Sequence, residues 1–298
     1  LFPYTTLFRS GKIGEHLPMT KIKKGIKSLH SKLSKNGFED CAEAIRTTDQ
    51  YAKTMHYKGK LGGKPYTIAI MAKGAGMIQP NMATMLCFIT TDLNIPQTTL
   101  KKLLKESVDD TLNCLSVDGD TSTNDTVLMM ANGLAQNAAL KSTGKNYLDI
   151  KDKLTRLLEM ICFLIARDGE GATKCFQVLV EKAASKSDAQ KIARAVVNSL
   201  LVKTALFGGD PNWGRILCAA GYSGAKITEE KTIIKIGDTA VFSKGKPLNK
   251  NEKAASNYLS KNDLVTLTVD CGLGKSNAKA IGSDLTYDYV ELNAEYRT

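Results

Sequence analysis

The residues best suited to chemistry lie in Lys73 to Asp92, KGAGMIQPNMATMLCFITTD, above all at the step from Ala83 to Thr84. Gly74 and Gly76 lead through the turn formers Pro80 and Asn81 to Met82-Ala83-Thr84, and the apolar run Met85 to Thr91 follows at once. This pattern predicts a hydroxyl at the mouth of a buried strand. Threonine is β-branched and opens strands readily, so a plain strand start is one reading. The other is nucleophilic. A Thr hydroxyl is weak at its free pKa and needs an adjacent base. If the bond before Thr84 is cut, the freed α-amino group, with a reference pKa of roughly 7.7 to 8.0, can serve as that base. The same hydroxyl could make the cut, attacking the Ala83 carbonyl to give an ester that water hydrolyses. A small residue at 83 leaves that carbonyl accessible.

Two Gly-containing loops carry charge that a substrate could use. Lys73 opens one, and Glu170 sits in the other, Asp168-Gly169-Glu170-Gly171-Ala172-Thr173-Lys174. Each alone is a weak signal, since such loops usually just turn the chain. Together they offer a cation and a carboxylate, which is what an amino-acid substrate requires. Histidine and metal chemistry have little to build on: His16, His30 and His56 are isolated and lack ligand spacing to a Cys or carboxylate. Gly272-Leu273-Gly274-Lys275-Ser276 resembles the end of a phosphate loop, but Val269 stands where GxxxxGK[ST] needs its first Gly. It reads as a hairpin turn between two strands. The seven cysteines are dispersed, without CxxC spacing, and fit reduced, buried small hydrophobes.

The elements that must position these groups follow from periodicity. Helices are expected at Lys21–Asn36, Phe38–Ile45, Gln97–Cys114, Tyr147–Arg167, Ser187–Leu201 (capped by Ser187 with Gln190), up to Ala220, and Glu252–Leu259. Strands are expected at 65–72, 85–91, 126–130, 176–182, 232–236, 240–242, 264–269 and 277–283, with a turn at Lys60–Lys64. The absence of a strict βαβ rhythm favours a layered α/β or α+β fold over a parallel Rossmann sheet. Hydrophobic content of 43% and charged content of 24% are ordinary for a globular protein, and no apolar stretch is long enough to span a membrane. The net charge of +11 gathers in Lys21–Lys35 and Lys53–Lys64, which read as a solvated lysine surface because few aromatics interleave them. Residues 1–10, LFPYTTLFRS, fit neither a periodic element nor a signal peptide and read as a non-native scar.

KGAGMIQPNMATMLCFITTD, DTSTNDTVLMMANG, DGEGATK, LFGGDPNWGRILCAAGYSG and DLTYDYVELNAEYRT, in this order, resemble the ornithine acetyltransferase family of arginine biosynthesis, the ArgJ glutamate N-acetyltransferases. The resemblance runs from about Gly11 to the last residue. It implies an ArgJ/DmpA-like layered α/β sandwich that cleaves itself between Ala83 and Thr84, leaving Thr84 as N-terminal nucleophile. The implied organisation is a scar at 1–10, the remainder of the α chain at 11–83, the start of the β chain with the substrate loops at 84–182, and a smaller C-terminal α/β domain at 183–298. Thr84 would take the acetyl group of N-acetylornithine and pass it to glutamate. The family's substrate-binding positions fall on Thr47, Lys73, Thr84, Glu170, Asn293 and Thr298. Its oxyanion hole, a Thr-Gly pair, falls on Ser10 and Gly11, with Ser in place of Thr. Losing one such donor typically costs about 10² to 10³ in rate. The family's α chain is also longer upstream, so impaired maturation is expected.

The resemblance further implies no cofactor, acetyl-CoA as a candidate co-substrate, and a dimer of cleaved αβ heterodimers; with no targeting segment read in the sequence, a cytoplasmic location is the expectation. Two rivals stand beside it. One is a related self-cleaving aminopeptidase or amidohydrolase that passes the acyl group to water; the other is a non-catalytic basic binding protein.

Overall fold

In the computed structural model, residues 15–34, 36–79, 85–122 and 125–295 are described. Ser10, Gly11, Ala83, Thr84 and Thr298, and with them the first ten residues, lie outside the described residues. The order is α1 (Met19–Ser31), α2 (Phe38–Ala44), β1 (Lys53–Leu61), β2 (Lys64–Lys73), β3 (Leu86–Thr91), α3 (Gln97–Asp109), β4 (Leu115–Ser116) and β5 (Thr126–Ala131). It continues with α4 (Lys145–Arg167), β6 (Cys175–Ala183), α5 (Lys186–Asn198), α6 (Leu200–Phe207), α7 (Trp213–Gly221), β7 (Ile233–Ile236), β8 (Thr239–Ser243) and β9 (Lys246–Pro247). The last elements are α8 (Glu252–Lys261), β10 (Leu264–Asp270), β11 (Ser276–Ser283) and α9 (Tyr287–Glu295).

Two sheets organise the chain. The first has order β1-β2-β3-β5, with β1, β2 and β3 antiparallel and β3 parallel to β5. Along β2 the residues Tyr66, Ile68, Ile70 and Ala72 are buried at period two, which fixes one face toward the core. The β1–β2 turn uses Gly62 and Gly63 at φ 58° and 79°, a left-handed pair that tight hairpins require. The second sheet has order β4-β11-β6-β10-β7-β8-β9 and mixed directions, as the fold class requires.

Helix α4 buries Tyr147, Ile150, Leu154, Leu157, Leu158, Ile161 and Ile165, a 3.6-residue stripe. It packs against β1 and β2 of the first sheet and against β6 and β11 of the second, so one core cluster draws on both. A second cluster lies where α5, α6, α7 and α8 cover the seven-stranded sheet.

Several expectations are corrected by packing. Among the described residues α1 buries none of its side chains, and Ile26 and Leu29 of its apolar stripe are exposed. The expected helix at 187–201 is two helices. Ser185, rather than Ser187, caps α5 through Asp188 N, and Ser199 breaks the run and caps α6 through Val202 N. Gly272–Ser276 is not a hairpin turn, because β10 and β11 flank β6 from opposite sides and the loop crosses its end. The Leu273 and Gly274 amides both donate to Lys182 O at 2.8 Å, and a Cβ at Gly274 would strike Ala183 O. Of the cysteines, Cys87, Cys162, Cys175 and Cys271 are buried, but Cys41 and Cys218 are exposed.

Gly282 shows how tightly the second sheet closes. A Cβ there would sit 2.6 Å from Val197 Cγ2 and 2.8 Å from Ser116 O, where β11 pairs with β4. Gly282→Ala is expected to destabilise the fold by about 1–3 kcal/mol through overpacking, read as a lower urea midpoint at unchanged slope.

Candidate active site

A buried charge cluster ties the site together. Lys53 opens β1 with its side chain fully enclosed, and its Nζ donates to Asp49 Oδ1 at 2.6 Å and Asp168 Oδ2 at 2.5 Å. Asp49 also accepts the Gly74 amide at 2.6 Å and the Thr47 amide at 3.1 Å, and Asp168 accepts the Gln50 amide at 3.0 Å. Burial alone would raise the Asp49 carboxyl, but the Lys53 ammonium and the Gly74 and Thr47 amides outweigh it and hold it below its ordinary value. Three segments distant in sequence, 47–50, 73–74 and 168–170, thus converge on one lysine.

The two Gly loops meet directly. The Glu170 amide donates to Ala75 O at 2.9 Å, and the Glu170 carboxylate lies on the Gly76 Cα, where any side chain would collide with it. Gly171, at φ 66°, abuts the backbone of Asp288 and Tyr289 at the start of α9. Thr286 Oγ1 donates to Gly171 O at 2.6 Å and accepts the Tyr289 amide, seating that helix. One turn on, Asn293 Nδ2 donates to Glu170 Oε2 at 3.2 Å. A cleft of about 620 Å³ opens beside these loops, lined by Gln50, Gly171, Thr173, Asp288, Glu291 and Leu292 among others.

Lys73 ends β2 almost buried, with Nζ donating to Thr47 Oγ1 at 3.4 Å. Burial lowers its pKa, while Asp49 and Asp125 oppose the shift. The Met77 and Ile78 amides donate to Asp118 at 2.6 and 2.9 Å, which fixes the chain as it leaves the Gly loop.

Four sequence-predicted residues are therefore placed as two contacting pairs, Lys73 with Thr47 and Glu170 with Asn293, on loops that touch. Lys53 was read as part of a solvated lysine surface and is instead wholly buried. The partners Asp49 and Asp168 were missed as well. Nothing local marks the cluster, because Lys53 and Asp168 are 115 positions apart and meet only in three dimensions. The three histidines are exposed. Among the described residues no group of His, Cys, Asp and Glu could hold a metal ion, and no helix is long and apolar enough to cross a membrane.

A mixed two-sheet fold whose two Gly loops meet, one following Lys73 and the other carrying Glu170, defines an α/β protein. Comparison sharpens that class. The ArgJ family profile matches residues 4–298, and this chain belongs to the ArgJ family. It is 47% identical over 289 residues to the arginine biosynthesis bifunctional protein ArgJ of Symbiobacterium thermophilum, covering 97% of this chain and 72% of that protein. The ArgJ protein of Bacillus subtilis is 46% identical over 289 residues, covering 97% of this chain and 70% of the relative. Among solved structures, ArgJ from Bacillus halodurans matches with a TM-score of 0.68 at 44% identity, covering 70% of this chain and 98% of that one.

Lys53→Met leaves two buried carboxylates without their cation. The expected cost is about 3–5 kcal/mol, measured by urea unfolding at pH 7. The pH dependence has a definite sign. Asp49 titrates in the folded protein below its ordinary value of 3.8, so the stability it lends is complete above about pH 4 and is lost as pH falls further through the folded value. Lys53→Met is expected to remove that acid-side loss.

Proposed function

We propose that this chain is a glutamate N-acetyltransferase that moves the acetyl group of N2-acetyl-L-ornithine to L-glutamate through an ester on Thr84. The observation that carries this reading is the locked pair of loops, with Lys73 on Thr47 and Glu170 on Asn293. A cation for the substrate carboxylate and a carboxylate for its free ammonium are held rigidly at the approach to β3. In the sequence Thr84 stands immediately before Met85, whose carbonyl accepts the Thr126 amide at 2.8 Å.

In the first half-reaction Thr84 Oγ attacks the acetyl carbonyl and its proton passes to the α-amino group of Thr84. The C–N bond breaks, and the proton returns to the departing ornithine nitrogen. In the second, the glutamate amine attacks the ester, N-acetylglutamate leaves, and the hydroxyl recovers its proton. Ser10 and Gly11 serve as oxyanion donors, and Thr298 joins Asn293 at the C-terminus as a substrate contact. The amine requires prior cleavage between Ala83 and Thr84. Comparison supports that: the Bacillus halodurans chain is nearly all matched by 70% of this one, and Thr84 to Thr298 makes up about that share of the sequence.

The active form in this reading is a cytoplasmic dimer of αβ heterodimers that needs no cofactor, with acetyl-CoA as a further donor of the same acetyl group. Intact-mass analysis is expected to show two chains split before Thr84, and Thr84→Ala a single chain without acetyl transfer. Transfer surviving in Thr84→Ala would refute the assignment. Release of acetate without N-acetylglutamate would instead identify an amidohydrolase. Glu170→Gln is expected to cleave normally and to raise KM for the amino-acid substrates about 10- to 100-fold, the value of one charged hydrogen bond.

A further inference from the structure

The two Gly loops are held from behind by a pair of strand ends that repeat one arrangement. β4 and β11 run parallel, with Ser116 beside Gly282. The next residues, Val117 and Ser283, carry the chain out of the sheet, and each is followed by an aspartate. Asp118 accepts the Met77 and Ile78 amides where the chain leaves the first Gly loop, at 2.6 and 2.9 Å. Asp284 accepts the Thr173 and Lys174 amides at the end of the second, at 2.9 and 3.0 Å. Backbone bonds close the same joints, from the Val117 amide to Ile78 O and from the Asp284 amide to Lys174 O. Gly169, at the head of the second loop, is wedged against both strand ends: a Cβ there would lie 3.1 Å from Val117 Cγ1 and 3.2 Å from Ser283 Oγ.

One side chain spans the two ends. Lys203 enters from α6 and is enclosed, with Nζ donating to Val117 O at 2.8 Å and to Ser283 O at 2.5 Å and lying 5.6 Å from the centre of the Phe176 ring. The charged groups that face it are Asp118 and Asp284, the same two aspartates that hold the loops. The Cys175 thiol beside them is uncharged, because burial pushes it up to about 12. Burying an ammonium costs free energy that its hydrogen bonds largely return. What the contact supplies beyond that is a fixed meeting point for two carbonyls whose strands run on to different loops.

We infer that Lys203 is a positioning residue for the acetyl-transfer site: by drawing the Val117 and Ser283 carbonyls to one point it sets the spacing between the loop that follows Lys73 and the loop that bears Glu170. That spacing selects the length of amino acid that reaches from the lysine to the glutamate. The inference rests on the reading of these loops as the substrate site and adds to it a determinant of chain-length specificity that touches no substrate.

The test compares Lys203→Met and Lys203→Gln with wild type in the full chain, by amide hydrogen exchange and by kinetics per cleaved molecule. Lys203→Met, similar in volume but without donors, is expected to speed exchange at both Met77–Ile78 and Thr173–Lys174. Its KM for N2-acetyl-L-ornithine should rise about tenfold, with kcat changed less than threefold. The preference for that substrate over N2-acetyl-L-lysine, longer by one methylene, should shrink at least threefold from a wild-type value of about 10- to 200-fold, the range one methylene commands. A loss of folded molecules alone would lower turnover and leave KM and the preference where they were. Lys203→Gln keeps two donor hydrogens without the charge and is expected to fall between Met and wild type; if Lys203→Met does not fold, it carries the same comparison. Wild-type exchange at either segment in the folded variant overturns the inference outright. Faster exchange at both with unmoved KM and preference also overturns it, and leaves the substrate site standing if Glu170→Gln still raises KM. An unmoved KM in Glu170→Gln as well removes the underlying reading and this inference with it.

Discussion

The site depends on the burial of Lys53 between Asp49 and Asp168. Two buried carboxylates and an ammonium are costly to desolvate, and the arrangement is helped by three backbone amides, two donating to Asp49 and one to Asp168. Those amides belong to Thr47, Gln50 and Gly74, so satisfying the charges and positioning the loops are one event. A surface ion pair, worth about 0–1 kcal/mol, could not impose such a constraint.

From that anchor the order passes outward by contact. Gly74 sets the first Gly loop, Ala75 O receives the Glu170 amide, and Gly76 lends its missing side chain to the Glu170 carboxylate. On the far side Asp284 accepts the Thr173 and Lys174 amides, which clamps the second loop just ahead of α9. Lys203 reaches in from α6, donating to Val117 O at 2.8 Å and Ser283 O at 2.5 Å, and burial pulls its pKa down to about 8. It thereby joins the segment before Asp118, which holds Met77 and Ile78, to the segment before α9. The helices over the second sheet are in this way linked to the Gly loop that follows β2.

How much of this was legible in the sequence depended on range. Period-two burial made β2 and β6 readable, and the α4 stripe gave that helix nearly its full extent. Boundaries failed where a short polar residue had two neighbours to choose from, as with Ser185 and Ser187. The reading of Gly272–Ser276 as a hairpin failed because strand neighbours are chosen by the whole sheet, not by loop length. Lys73 and Glu170 stand out in the sequence as charges beside Gly loops, Thr47 and Asn293 enter through motif resemblance, and only the fold shows why they pair. Lys53, Asp168 and Asp125 carried no local mark, since burial, not residue type, makes them consequential.

Charge balance accounts for the groups enclosed at the site. Asp49, Asp168, Lys53 and Lys73 together sum to zero, which is what a low-dielectric interior tolerates. A third carboxyl, Asp125, whose oxygens are shut off from solvent, fits that balance with its proton on, consistent with its upward shift to about 8.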